Sequence, residues 1–254
     1  PISPLLLNQM RVAFDISNAH AANILATLLA YSAGCDDMLR DDLISIVPPL
    51  SPDYRPHIAF LIGNCFIVDG DFETAYDYLE EHLYHHINAA FTGYNFAWVA
   101  LQIGRDESAF STLERAITLA KILPSESALI ELLTFRAQLH ALNFDYDAAI
   151  TDMNAAIALD SENSELYVLR GQMVLLLYEW DRVEANYNTA LEIDPNYAPA
   201  YYYRGILYYT VLERENALAD FEQYLDLAPA GEHATDAARY AESIRAELDA
   251  LGGN

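Results

Sequence analysis

The sequence predicts an all-α protein built from consecutive pairs of helices, and three observations support this fold class. Glycine and proline number only 10 each in 254 residues, and so few helix breakers favour long helices over many short strands. Hydrophobic residues make up 53% of the chain, which is enough for a folded core. Similar text also recurs with a period of about 34 residues, a spacing typical of a repeated helix–turn–helix unit.

The recurrence is clearest around Gly171 and Gly205, which lie one such period apart. Residues 166–171 read LYVLRG and residues 200–205 read AYYYRG. The earlier copies centre on small residues at matching places: Gly63, Ala97 and Ala137. The step from the second of these to the third is longer than the period, so that six residues are inserted, and we place them near the PSES segment at 124–127.

The pattern resembles the tetratricopeptide-repeat (TPR) family. In that family a large residue precedes Leu-Gly, a Tyr follows, then an Ala with an aromatic residue four positions on, and finally a Pro. The best copy here has Arg in place of Leu and reads Tyr201, Arg204, Gly205, Tyr208, Ala217, Phe221 and Pro229. The resemblance covers about residues 56–229. It implies a right-handed superhelical solenoid of antiparallel helix pairs with a concave inner face.

On this basis we divide the chain into three parts. Residues 1–50 are an N-terminal segment with a degenerate helix pair, residues 51–230 are five TPR-like repeats, and residues 231–254 are a C-terminal capping helix and tail. The capping helix is predicted from an apolar stripe with charged residues elsewhere, as expected at the end of a solenoid. The stripe consists of Ala237, Ala241, Ile244 and Leu248.

The repeat also predicts contacts within each helix pair. The central Gly or Ala should lie where two helices cross closely, because nothing larger fits there. In three copies an arginine precedes it, and an acid or amide follows at a constant spacing: Arg136 with Asp152, Arg170 with Asn186, and Arg204 with Asp220. The resemblance favours ion pairs in the first and third copies, since a buried arginine requires a carboxylate. The alternative is that the arginines form an anion-binding track.

The chain is strongly acidic, with 13 Lys and Arg against 38 Asp and Glu, a net charge of −25, and Lys121 as its one lysine. Nucleic acid is not an expected partner, because phosphate binding requires clustered cations. The acidic surface could serve only to keep the chain dispersed, or it could attract a basic partner, and both interpretations stay open. No apolar run reaches the roughly 18 residues of a membrane span.

The chain contains no recognisable catalytic motif, neither a nucleophile elbow nor a P-loop nor a dinucleotide fingerprint. We therefore expect no enzymatic activity and no cofactor. The best metal candidate is His82 with His85 and His86 at helical spacing, but a third ligand would have to come from elsewhere, so no metal site is expected. Cys65 lies in an apolar run, which predicts a buried free thiol.

The resemblance implies that the first helix of each pair lines the concave groove, here called the predicted groove. Its places carry aromatic, apolar and amide side chains. The candidate site residues are Phe60, Asn64, Tyr94, Asn95, Trp98, Phe135, Gln138, Leu169, Gln172, Tyr202, Tyr203 and Tyr209. None of them is basic. A C-terminal carboxylate, which chaperone-binding members of the family hold with inward Lys and Arg, is therefore not the expected ligand.

These observations predict a protein–protein interaction scaffold that binds a polypeptide segment through apolar anchors and amides. If the acidic surface attracts its partner, that segment is basic. The alternative is a module for self-association, for instance as a homodimer, or for assembly within a larger protein. In that case the groove would be filled by the chain itself or by another copy, since large apolar surfaces are usually covered.

Overall fold

The structure is a computed structural model that describes residues 55–83, 89–122 and 126–252, with side chains for residues 62–80, 93–122 and 126–250. The degenerate helix pair expected within residues 1–50 lies outside these residues. The described residues form eleven α-helices and no strand. The all-α prediction is therefore confirmed.

The chain divides into two compact units, residues 1–132 and residues 133–254, and the division falls within α5. The helices are α1 (Arg55–Asp69), α2 (Phe72–Leu83), α3 (Ala89–Gln102), α4 (Asp106–Ile122), α5 (Glu126–Leu142), α6 (Tyr146–Leu159), α7 (Ser164–Leu175), α8 (Trp180–Ile193), α9 (Ala198–Thr210), α10 (Arg214–Leu227) and α11 (Ala234–Gly252). In the first unit, α1 pairs with α2 and α3 pairs with α4, and α2 packs on α3.

The second unit repeats the same arrangement. Helix α7 pairs with α8, α9 pairs with α10, and each pair contacts its neighbour through α6 on α7 and α8 on α9. The breaks between pairs fall at the expected prolines, since α8 ends just before Pro195 and α10 ends just before Pro229. The Tyr201 hydroxyl donates a hydrogen bond to the Pro195 carbonyl at 3.0 Å, which ties the break to the next helix.

The six-residue insertion lengthens helices. Helices α4 and α5 have 17 residues each, whereas α6, α8 and α10 have 14. The extra residues therefore add roughly one turn to each of the two helices that flank the PSES segment.

The glycines of the last two copies lie at tight helix crossings, as predicted. A Cβ built on Gly171 would approach Tyr187 Cε1 to 2.5 Å, and one built on Gly205 would approach Phe221 Cε1 to 3.0 Å. Both rings are almost fully buried, so they have little room to move away. Each aromatic ring of the second helix thus fills the space that the glycine of the first helix leaves empty.

The arginine pairing is also confirmed. Arg204 donates through Nε and Nη2 to the two carboxylate oxygens of Asp220, at 2.8 and 2.7 Å. Arg136 makes the same two-pronged contact with Asp152, at 2.7 Å for both bonds. Burial raises the pKa of the Asp220 carboxyl, and the hydrogen bonds from Arg204 act against that rise. The guanidinium therefore keeps a charged carboxylate acceptable in the interior.

Each arginine of the last two copies has a second partner that was not predicted from the sequence. Arg170 donates to Asn186 on α8 at 2.8 Å and to Asn154 on α6 at 2.7 Å. Arg204 donates in the same way to Asn188 on α8, at 2.7 Å. The signal was present in the sequence, because Asn154 and Asn188 are themselves one repeat period apart.

Helix α11 buries most of the apolar stripe that the sequence predicted. Ala237, Ala241 and Ile244 of α11 are fully buried, and α11 packs on α10. One expectation in the first unit was wrong. Cys65 is buried but disulfide-bonded rather than free. Apolar surroundings suit a thiol and a disulfide equally, so the local sequence could not distinguish them.

The close contact at Gly171 predicts a loss of stability on a small substitution. Gly171→Ala should lower the free energy of unfolding by about 1–3 kcal/mol through overpacking, less the gain in helix propensity of about 1 kcal/mol. Gly205→Ala is the matched control and should cost less, because its Cβ would meet Phe221 at 3.0 Å rather than 2.5 Å. Urea unfolding measures both. A Gly171→Ala variant that is more stable than the wild type, or no less stable than Gly205→Ala, would contradict the crossing geometry.

Removal of Arg204 should leave a buried carboxylate without its counter-charge. We expect Arg204→Leu to lower the free energy of unfolding by about 3 kcal/mol at neutral pH. Without Arg204 the raised pKa of Asp220 rises further. Protonation of the Asp220 carboxyl then removes the buried charge that destabilises the folded state. The deficit relative to the wild type should therefore shrink as pH falls through that pKa and be fully present above it.

The matched control for this experiment is the double variant Arg204→Leu with Asp220→Leu. It removes both charges and should recover much of the lost stability, since an apolar pair often replaces a buried ion pair well. Thermal unfolding followed across the acidic pH range measures all three proteins. A deficit in Arg204→Leu that does not change with pH would argue against a stranded carboxylate.

Candidate functional site

In the first unit the structure brings an amide pair and two aromatic side chains together on α1 and α3. The Asn95 side chain donates from Nδ2 to Oδ1 of Asn64 at 2.9 Å, which links the first helices of two consecutive pairs. Tyr94 beside it is 38% exposed. Trp98, one turn further along α3, is half-buried and held edge-on by Phe72, with ring centroids 5.4 Å apart. The side chain of Phe60 lies outside the described ones.

In the second unit the predicted groove residues on α5 and α7 differ in exposure. Gln138 is exposed, and Leu169 and Gln172 are half-buried. Phe135 is only 8% exposed. Its assignment to the open surface of the groove is therefore corrected to the core. Phe135 and Gln138 lie three residues apart, which is about one helical turn. Neighbouring residues pack over Phe135, whereas Gln138 remains in contact with solvent.

The tyrosines of α9 show a larger correction at the C-terminal end. Tyr202 was expected on the open face, but it is 8% exposed and lies in a core cluster with Phe221, Tyr224 and α11. The His233 ring stacks on it, with centroids 4.1 Å apart and the planes 9° from parallel. Burial and the Asp236 carboxylate raise the pKa of Tyr202, so its hydroxyl stays protonated. Tyr202 is a packing residue.

Tyr203 and Tyr209, the two other groove tyrosines of α9, are half-buried. Tyr203 lies against the segment that leads into α11, and Tyr209 lies against α11 itself. The Tyr203 hydroxyl lies 3.3 Å from Nε2 of His233. Tyr209 packs on Tyr240 with centroids 5.0 Å apart, and the Arg214 guanidinium lies 4.3 Å from its ring centre. The start of α11 therefore occupies the surface that α9 offers. Sequence reasoning missed His233, because Pro229 and Gly231 mark the break before α11 but not which side chains the returning chain contacts.

The described residues show neither a metal site nor a membrane-spanning helix. Among residues 62–80, 93–122 and 126–250, no group of three His, Cys, Asp or Glu side chains is arranged to hold a metal ion. The candidate built on His82 falls outside these side chains. No helix in the described ranges combines the length and the apolar character required to cross a membrane.

Solved structures share this fold along most of their length. The MamA protein is 22% identical to this chain, and the match covers 70% of this chain and 93% of MamA, with a TM-score of 0.55. BtubC from P. vanneervenii is 16% identical over 74% of this chain and 87% of its own, with a TM-score of 0.62. YrrB, described as a TPR protein with an unusual peptide-binding site, is 17% identical over 78% and 97%, with a TM-score of 0.53.

These similarities establish the tandem helix-pair fold of TPR proteins and agree with the residue pattern on which the resemblance was based. A scan against protein-family models gives no match, and a search of curated proteins gives none either.

The burial of Tyr202 gives a direct test of the C-terminal packing. Tyr202→Ala should lower the free energy of unfolding by about 3 kcal/mol, because it opens a cavity among Phe221, Tyr224 and α11. Gln223→Ala, an exposed position on α10, should leave stability within about 0.5 kcal/mol of the wild type. Chemical unfolding measures both variants. If the two variants were equally stable, Tyr202 would not be a core residue and would instead lie on the open surface.

Proposed function

We propose that this chain, which has the fold of TPR proteins, is a protein–protein interaction scaffold that binds a polypeptide segment on the face of its first helices. The observation that carries the proposal is the amide link between Asn95 and Asn64, flanked by the aromatic side chains of Tyr94 and Trp98. A scaffold of this kind requires fixed polar groups beside apolar anchors, and the surface of α1 and α3 supplies both.

The amide pair has capacity for further hydrogen bonds. Two carboxamides together carry four N–H donors and two carbonyl oxygens, and the contact between Asn95 and Asn64 uses one donor and one acceptor. The remaining groups can bond the backbone of a bound peptide, which offers one N–H and one C=O per residue. Because the two amides hold each other, part of the ordering cost is met before the ligand arrives.

The neighbouring aromatic residues are suited to be anchors. Tyr94 is the most accessible of the groove aromatics that the structure describes, at 38%. Trp98 is partly fixed by its edge-to-face contact with Phe72, so binding would cost it little rotamer freedom. Tyr and Trp dominate the binding energy at many protein interfaces.

The second unit supports the proposal with the same side-chain types. Gln138 is exposed, and Gln172 and Leu169 are half-buried on the following first helix. The surface of α9 is less suitable, since α11 and the residues before it already contact Tyr202 and Tyr209. The peptide-binding site named for YrrB supports this class of function by analogy of fold alone.

The proposal predicts that the two aromatic residues of α3 contribute to affinity. A library of random peptides displayed on phage, panned against the chain, should yield binders. Tyr94→Ala and Trp98→Ala should each weaken the selected peptides by about 2 kcal/mol of binding free energy, as expected for hot-spot residues. Calorimetric titration of each peptide against the wild type and both variants measures the loss.

Gln223→Ala on α10 is the control for this titration and should bind as the wild type does. Circular dichroism should show the same helix content in all four proteins. Equal affinity in the two aromatic variants, with the fold intact, would remove the site from α3. A chain that selects no peptide and sediments as a dimer would favour the alternative of self-association.

A further inference from the structure

Three turn residues of the second unit adopt a backbone conformation that their side chains disfavour. Phe144, Tyr178 and Leu212 have φ of 63°, 60° and 68°, and they follow one another at the repeat period in the turns α5–α6, α7–α8 and α9–α10. Left-handed backbone costs a residue with a Cβ roughly 1–2 kcal/mol, and it is unusual for bulky residues. The matching turns of the first unit have glycine there, Gly70 and Gly104.

Burial does not explain these residues. Phe144 is 79% exposed, Tyr178 is 75% exposed and Leu212 is 72% exposed. Two of them gain a local ring contact, Phe144 with Tyr146 at 6.4 Å and Tyr178 with Trp180 at 5.5 Å, both edge-to-face. Such a pair contributes about 0.5–1.5 kcal/mol, which at best offsets the backbone cost. Leu212 has no ring to make one. Glycine would serve the fold at least as well at all three turns.

The three turns lie at one edge of the second unit, because every first helix runs in the same direction and ends there. Two further apolar residues stand two positions before the turn residues, Leu142 at 73% exposure and Leu176 at 44%. The chain therefore presents an apolar group at each turn of this edge. We call Phe144, Tyr178 and Leu212, with the carboxylates described next, the turn edge.

Carboxylates surround these apolar groups in a regular order. Each turn residue is followed at the next and the third position by exposed acids: Asp145 and Asp147, Glu179 and Asp181, Glu213 and Glu215. The same three short stretches, 144–147, 178–182 and 212–215, contain two arginines against these six acids. Arg182 pairs with Glu179, and Arg214 pairs with Glu247 of α11. The edge therefore combines apolar contact with a negative potential.

The middle turn has an open depression of about 450 Å³ lined by Tyr178, Glu179, Trp180, Asp181 and Arg182. Aromatic faces beside carboxylates suit a cationic side chain, which gains both cation–π attraction and an ion pair. An anionic ligand would meet two carboxylates there for one guanidinium. The charge of the depression therefore agrees with the charge of the edge as a whole.

We propose that the turn edge is a docking surface for a basic polypeptide segment in which Lys or Arg alternates with apolar side chains. The apolar side chains of the partner cover Phe144, Tyr178 and Leu212, and its cations pair with the acids that follow them. The left-handed backbone is retained because only a residue with a side chain supplies these contacts. The turn edge shares no residue with the first-helix face, and the proposal is independent of the function proposed above.

The test uses a synthetic peptide of alternating Arg and Leu, with two reference peptides. One replaces Arg by Glu, and the other replaces Leu by Ser. The turn-edge variant combines Phe144→Gly, Tyr178→Gly and Leu212→Gly. It keeps every charge of the wild type, so general attraction of a basic peptide to an acidic chain is unchanged. Its melting temperature should equal or exceed that of the wild type, because glycine relieves the left-handed positions.

The wild type should bind the Arg–Leu peptide saturably, the turn-edge variant should bind it about tenfold more weakly or worse, and the two reference peptides should bind poorly to both. Ile122→Ala is the matched control, since it removes another apolar side chain exposed at 73%, one that belongs to the first unit and not to the turn edge, and it should bind as the wild type does. Fluorescence anisotropy measures each affinity.

Three outcomes would overturn the proposal. The first is equal binding of the Arg–Leu peptide by the wild type and a folded turn-edge variant, or no saturable binding by either. The second is loss of that peptide in the double variant Tyr94→Ala with Trp98→Ala but not in the turn-edge variant, which assigns it to the first-helix face. The third is sedimentation with neutral phosphatidylcholine vesicles that the turn-edge variant loses, which would make the surface a membrane contact.

Discussion

The guanidinium groups of Arg170 and Arg204 each connect three helices, and the stacking of the second unit depends on them. Arg204 on α9 bonds Asp220 of its own pair and Asn188 of the preceding pair. Arg170 on α7 does the same with Asn186 and Asn154. Because the guanidinium is planar and its donors are fixed in a fork, satisfying both partners fixes how one helix pair sits on the next. Apolar packing alone is less directional.

The two arginines differ in the charge of their partners. Both side chains that accept hydrogen bonds from Arg170 are neutral amides, and burial lowers its pKa. Arg204 faces the Asp220 carboxylate, and its hydrogen bonds to that carboxylate raise the pKa of the Arg204 guanidinium. Asn186 is in turn held by a bond from its Nδ2 to the Arg182 carbonyl at 2.7 Å. The geometry is thus repeated with and without a counter-charge, because the amide and the carboxylate offer an acceptor oxygen at the same place.

The two surfaces proposed for contacts with other molecules lie outside this internal framework. The glycine–ring crossings and the arginine bonds hold the helix pairs of the second unit together, and exposed residues such as Gln138 on a first helix and Phe144 at a turn are not part of that packing. A repeat architecture then presents equivalent positions at regular intervals. Amides and half-buried aromatic side chains recur on the first helices, and exposed apolar residues followed by acids recur at the turns of the second unit. The acidity of the chain acts on both surfaces through its field.

The sequence by itself determined the helix-pair fold, the crossings at Gly171 and Gly205, and the carboxylate partners of Arg136 and Arg204. It could do so because a constant repeat period puts equivalent residues in equivalent surroundings, so that one well-preserved copy explains the others. Only the tertiary structure decided which groove residues are accessible. Tyr202 and Tyr203 are adjacent in a first helix, but the chain returns through His233 to cover Tyr202. The left-handed backbone conformation of Phe144, Tyr178 and Leu212 was likewise not predictable from the sequence. These three residues stand where the matching turns of the first unit have glycine, the residue that usually indicates such a conformation. Whether a groove residue is accessible depends on which residues from distant positions in the chain pack against it, and no local sequence pattern records such contacts.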